Sequence, residues 1–89
     1  MPLKPMYGRE KDIRMMSNPI DWPRWPRLPV KRSDPKFAGQ VEVGIMMAME
    51  GQLTTVWITT LFSEVDPETT PKIVYTDHDA VADDGWVVD

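Results

Sequence analysis

Residues 21–32 read DWPRWPRLPVKR, which closes with three triplets centred on proline (Pro23, Pro26 and Pro29) and a pair of bases. Each proline fixes its own φ near −65° and steers the residue before it out of the helical region, so the stretch predicts neither helix nor central strand. What remains is polyproline II, whose three residues per turn set Trp22, Trp25 and Leu28 on one ridge and Arg24 and Arg27 on a second, with Val30 following. A rod with an aromatic edge and a cationic edge cannot bury both against itself. It predicts an extended arm that another surface must cover, with Trp22, Arg24, Trp25, Arg27, Leu28, Lys31 and Arg32 as candidate partner-binding residues.

Charge divides the chain in the same place. Residues 1–36 hold nine of the ten bases against four acids (+5), whereas residues 37–89 hold Lys72 alone against ten acids (−9). The division into a basic, Pro/Trp-rich arm (1–36) and a small acidic β-rich domain (37–89) rests on this contrast. Two outcomes stay open: the arm folds back on its own acidic domain, or it reaches another subunit or protein, since exposed aromatic and Arg residues are enriched at interfaces. Within the arm, Arg9 to Ser17 can form two helical turns on docking, with Ile13, Met16 and Met15 on one side.

From Phe37 the period becomes two. Phe37, Val41, Val43, Ile45, Met47 and Met49 fall on odd positions and Gln40, Glu42 and Glu50 on even ones, which predicts a strand with an odd core face and an even water face. After Glu50-Gly51, Leu53 to Val65 is dense in β-branched and aromatic residues. A two-residue turn sets Ile45 opposite Val56, and a three-residue turn sets Ile45 opposite Trp57 and Val41 opposite Leu61. This second strand is apolar on both faces, so it needs cover twice and adds Trp57 to the candidate partner-binding residues. After the acidic loop Asp66–Pro71, strand 72–76 leads to a short helix near 77–84, with Thr76 as N-cap, Gly85 ending it and Val81 meeting Trp86, after which Trp86, Val87 and Val88 make a short last strand or a packed tail. The expected fold is α+β and β-rich: a three-stranded antiparallel meander, one short C-terminal helix, and the extended N-terminal arm.

The closing stretch KIVYTDHDAVADDGWVVD, a strand, a short acidic helix and then Gly-Trp, resembles the ends of small uncharacterised proteins encoded by bacteriophages and prophages. The resemblance covers about 18 residues of 89 and transfers no residue roles. It implies a phage or mobile-element origin, and with it virion parts or host-directed inhibitors.

Catalytic chemistry has little to build on. The chain has no cysteine and one histidine, His78, whose acidic neighbours Asp77, Asp79, Asp83 and Asp84 lack the ligand spacing of a calcium loop or the nitrogen donors of a zinc site. Ser17, Ser33 and Ser63 lack a nucleophile-elbow context. No metal, cofactor or catalytic residue is expected. No targeting segment is visible, and the longest apolar run, Ile45 to Met49, is too short to span a bilayer, so the expected location is a virion or the host cytoplasm. The arm's tryptophans and bases also suit single-stranded nucleic acid, against which the −9 domain would be repelled. The expected function is therefore a non-enzymatic structural or interaction protein, docking a protein partner or a copy of itself through the arm, as a capsid-decorating or tail-associated component. The alternatives are a small acidic inhibitor of a host enzyme or defence complex and, after it, a single-strand binder.

Overall fold

The computed structural model describes residues 3–34, 36–59 and 64–89, with side chains from residue 8 onward. In chain order, helix α1 (Leu3–Ser17) passes through a 3-10 turn (Pro19–Asp21) to strand β1 (Arg27–Ser33). Strands β2 (Val41–Met47), β3 (Thr55–Thr59) and β4 (Lys72–Val74) follow, then helix α2 (His78–Asp83) and strand β5 (Val87–Val88). The five strands form one sheet in the order β4-β3-β2-β1-β5, every neighbouring pair antiparallel. The α+β, strand-rich class is as expected. The described sheet, however, has five strands where three were expected.

Of the two additional strands, one comes from the expected arm and the other from the C-terminal end of the expected domain. Arg27–Ser33 lies in the sheet beside β2, with Leu28 opposite Met46 and Val30 opposite Gly44, instead of belonging to an extended arm. The proline argument against a strand fails here for a local reason. Asp89 donates its N–H to the Pro29 carbonyl, so Pro29 directs its backbone toward the β5 side, and the N–H that proline lacks would have faced Asp89, just past the two residues of that strand. The ladder to β2 uses the alternate residues and loses nothing.

The hairpin register also resolves. Ile45 stands opposite Trp57 and Val43 opposite Thr59, as the three-residue alternative gives; Leu61 lies outside the described residues, as do residues 60–63 of the expected second strand. The odd/even assignment of β2 is reversed. The main core, Met16, Trp22, Leu28, Val30, Met46, Val56, Val81 and Trp86, lies on the face carrying the even residues of β2. Gly44 is the reason that pattern misled. A Cβ there would stand 2.6 Å from Val56 Cγ1 and 3.1 Å from the Trp86 ring, so the even face looks empty in sequence because an indole fills it. The odd face holds a second, smaller cluster of Met47, Trp57 and Val65, with Ile45 and Met49 against it, while Val41 is exposed.

Helix α2 is capped by Asp77, not Thr76: its carboxylate accepts from Ala80 N–H at 2.7 Å. Gly85 has φ +96°, the left-handed value that ends a helix at low cost only in glycine, and both Val81 and Trp86 are buried as expected. α1 lies over α2 and β5. Burial pushes the Asp12 carboxyl above its ordinary pKa, against the lowering effects of the Val88 backbone and the Lys11 charge.

The basic and acidic parts of the chain meet in the fold. All five ion pairs among the described residues join residues 1–36 to 37–89: Arg9 with Asp79 and Asp83, Lys31 with Asp89, and Arg32 with Glu42 and Asp84. The fold-back alternative accounts for those three bases.

Candidate functional site

The candidate residues part into two sets. Trp22, Leu28 and Trp57 are buried, and Arg32 is nearly so. Trp22 is 3 % exposed and gives its indole N–H to the Met15 carbonyl at 2.6 Å, at the end of α1. Trp57 gives its own to the Pro67 carbonyl at 3.2 Å, and Trp86 to the Tyr75 hydroxyl at 2.9 Å. Each of these three indoles is thus buried with its one polar atom satisfied, as a core tryptophan must be.

Arg32 belongs to a structural network. Its Nε donates to Glu42 Oε1 at 2.8 Å, Nη1 meets Asp84 Oδ2 at 2.7 Å, and the guanidinium lies 4.6 Å from the Trp86 ring centre. Burial works to lower the Arg32 pKa, but the bond to Glu42 and the charges of Glu42 and Asp84 together raise it. The Tyr75 hydroxyl donates to Asp84, and its pKa is pushed up to about 12, first by burial and then by that bond. This network clamps β1, β2 and the end of α2 together.

The second set is exposed. Between Trp22 and Arg27 the chain makes two successive turns, Trp25 N–H to Trp22 carbonyl and Arg27 N–H to Arg24 carbonyl, with a cis Trp25–Pro26 peptide. The three-fold ridge of a polyproline rod is lost, and Trp22 and Trp25 point to different surroundings. Trp25 is 62 % exposed, and its indole N–H has no acceptor among the described residues. Arg24 and Arg27 flank it, both exposed and neither paired with a carboxylate among the described residues. This knuckle borders an open groove of about 750 Å³, lined by Pro23, Arg24, Arg27, Pro29, Val43 and Ile45 and reaching Met15, Leu28, Val88 and Asp89. Of the candidates, Arg24, Trp25 and Arg27 form one surface. Lys31 is exposed but paired with Asp89 at 3.2 Å.

Ser17, one of the serines without a nucleophile-elbow context, does meet His78. Ser17 Oγ stands 3.2 Å from His78 Nδ1, and His78 Nε2 stands 2.9 Å from the Leu53 carbonyl. Because a carbonyl only accepts, Nε2 carries the proton toward Leu53. The Ser17 hydroxyl is closer to the Ile13 carbonyl, at 2.7 Å, than to the imidazole, and a carbonyl rather than a carboxylate stands behind the ring. The trio ties the last turn of α1, the first turn of α2 and the β2–β3 connection together. The i, i+4 spacing of Ile13 and Ser17 is the only trace of it in the sequence.

Among the described residues no three His, Asp or Glu side chains converge as a metal site, and no helix is long and apolar enough to cross a membrane. Of the acids that would carry an inhibitory surface, Glu42, Asp83 and Asp84 are held by Arg9 or Arg32, while Glu64 is exposed. Compared with family models, with curated proteins and with solved structures, the chain matches none.

Proposed function

We propose that the protein is a non-enzymatic interaction protein that docks on a protein partner, or on a further copy of itself, through the Arg24–Trp25–Arg27 knuckle. One observation carries the reading. Of the four tryptophans, three are buried with their N–H groups bonded, and the fourth stands in water between two guanidiniums that have no carboxylate partner among the described residues. A large, rigid indole flanked by Arg is the composition that dominates binding energy where proteins meet, and it loses little conformational entropy on docking. The docking surface is smaller than the whole arm. Trp22, Leu28, Trp57 and Arg32 contribute by holding the knuckle on a rigid sheet. The resemblance of residues 72–89 to phage-encoded proteins supports a place in a virion, as a capsid-decorating or tail-associated component acting in the particle or the host cytoplasm.

The test places a photo-crosslinking amino acid at position 25 and, separately, at position 68 on the acidic β3–β4 connection, in cells that make the assembled particle. A discrete adduct from position 25 that disappears in the Arg24→Glu/Arg27→Glu background is the expected result. An adduct from position 68 alone would transfer the interaction to the acidic side and favour the inhibitor reading.

A further inference from the structure

The edge of β1 beside the knuckle has an unusual hydrogen-bonding character. β5 covers β1 only at Val30 and Lys31, with Asp89 reaching the Pro29 carbonyl, so the start of β1 has no strand on that side among the described residues. An uncovered edge normally invites another strand, which needs alternating donors and acceptors. Here the donors are missing. Pro29 has no N–H, Arg27 N–H is spent on the Arg24 carbonyl, and Pro26 and Leu28, on the alternate parity to Pro29, face β2, where Ala48 N–H reaches the Pro26 carbonyl. A partner lying along this edge therefore gains almost nothing from backbone pairing and must be recognised through side chains.

The side chains available are of two kinds. Pro29, Val43 and Ile45 give the groove apolar lining, and Arg24 and Arg27 line it without carboxylate partners among the described residues, while the carboxylate in that lining, Asp89, is already held by Lys31 at 3.2 Å. Their counterparts Arg9, Lys31 and Arg32 are all paired within the fold. Resting on the docking reading above, we infer that the groove takes an acidic segment of a protein partner, its carboxylates on Arg24 and Arg27 and an apolar side chain on Pro29, Val43 and Ile45. Charge complementarity selects this occupant. Paired Arg–carboxylate forks supply orientation, and the apolar contact supplies the area that exposed ion pairs alone do not convert into affinity.

The test titrates the full ¹⁵N-labelled chain with a synthetic hexapeptide of alternating glutamate and leucine, with the same peptide carrying lysine for glutamate, and with single-stranded oligothymidine. The glutamate peptide is expected to shift the Trp25 indole N–H and the amides of Arg27, Val43 and Ile45. Its affinity is expected to fall at least tenfold in Arg24→Glu/Arg27→Glu, whose remaining spectrum is unchanged. The inference is overturned if the glutamate peptide causes no shifts at millimolar concentration, if the lysine peptide shifts the same signals equally, or if oligothymidine binds them more tightly. The last result would assign the surface to single-stranded nucleic acid. Should the peptide fail while position 25 still crosslinks in cells, the acidic partner is excluded and the docking reading stands; failure of both removes both.

Discussion

Trp22 and Trp25 sit three residues apart in identical Trp-Pro-Arg triplets, and the fold treats them in opposite ways. Trp22 is sealed under α1 with its N–H on the Met15 carbonyl; Trp25 projects from a turn into water. The same division separates Arg32, held by two carboxylates and an indole, from Arg24 and Arg27. Identical chemistry is thus structural where a second element arrives to cover it, and available for binding where none does. A triplet repeat does not carry that information, because cover is supplied by distant parts of the chain: Met15 on α1, Asp84 and Trp86 after α2.

The comparison is most exposed to test in stability measurements. Trp22→Ala should lower the unfolding free energy by about 3–5 kcal/mol, the usual cost of emptying a buried aromatic site, whereas Trp25→Ala should change it by less than about 0.5 kcal/mol. Urea unfolding of both variants decides this, and equal effects would break the distinction. Gly44→Val comes next. The added side chain meets Val56 and the Trp86 ring, so a loss of about 1–3 kcal/mol is expected from overpacking, on the face where the even-numbered pattern seemed empty.

Arg32→Met should cost about 1–3 kcal/mol, because Glu42 and Asp84 are left without their cation, and Arg27→Met close to nothing. Here thermal melts of the pair suffice. A smaller effect concerns Tyr75. Its folded pKa of about 12 lies above the ordinary value of 10, so the folded state holds the proton more tightly than the unfolded one. The stability this contributes is complete below pH 10 and is lost as pH rises through 12. In a Tyr7→Phe background, phenolate absorbance should appear near pH 12 in the folded protein, and Asp84→Asn should move it downward. Arg9→Ala, which removes exposed pairs with Asp79 and Asp83, should cost no more than about 1 kcal/mol and still less at high salt.

Much of the β half was legible because period-two alternation and turn glycines act locally: strands β2 and β3, the α2 stop at Gly85 and the burial of Val81 and Trp86 in one core all follow from neighbouring residues. β1 was not legible, because Pro29 is tolerated only through where β5 happens to end. The core face of β2 was read backwards, since Gly44 makes room for an indole 42 residues away. Of the candidate residues, the types were legible and their fates were not. Arg24, Trp25 and Arg27 reach the surface together; Trp22, Leu28, Trp57 and Arg32 are used by the fold.

The most direct measurement labels all four tryptophans with 5-fluorotryptophan and adds a soluble paramagnetic agent to the free protein and to its assembly. One fluorine resonance, the one missing in Trp25→Phe, should broaden strongly in the free protein and be protected in the assembly, while the Trp22 signal stays sharp in both. A Trp25 signal already protected in the free chain, or still broadened in the assembly, would contradict the account.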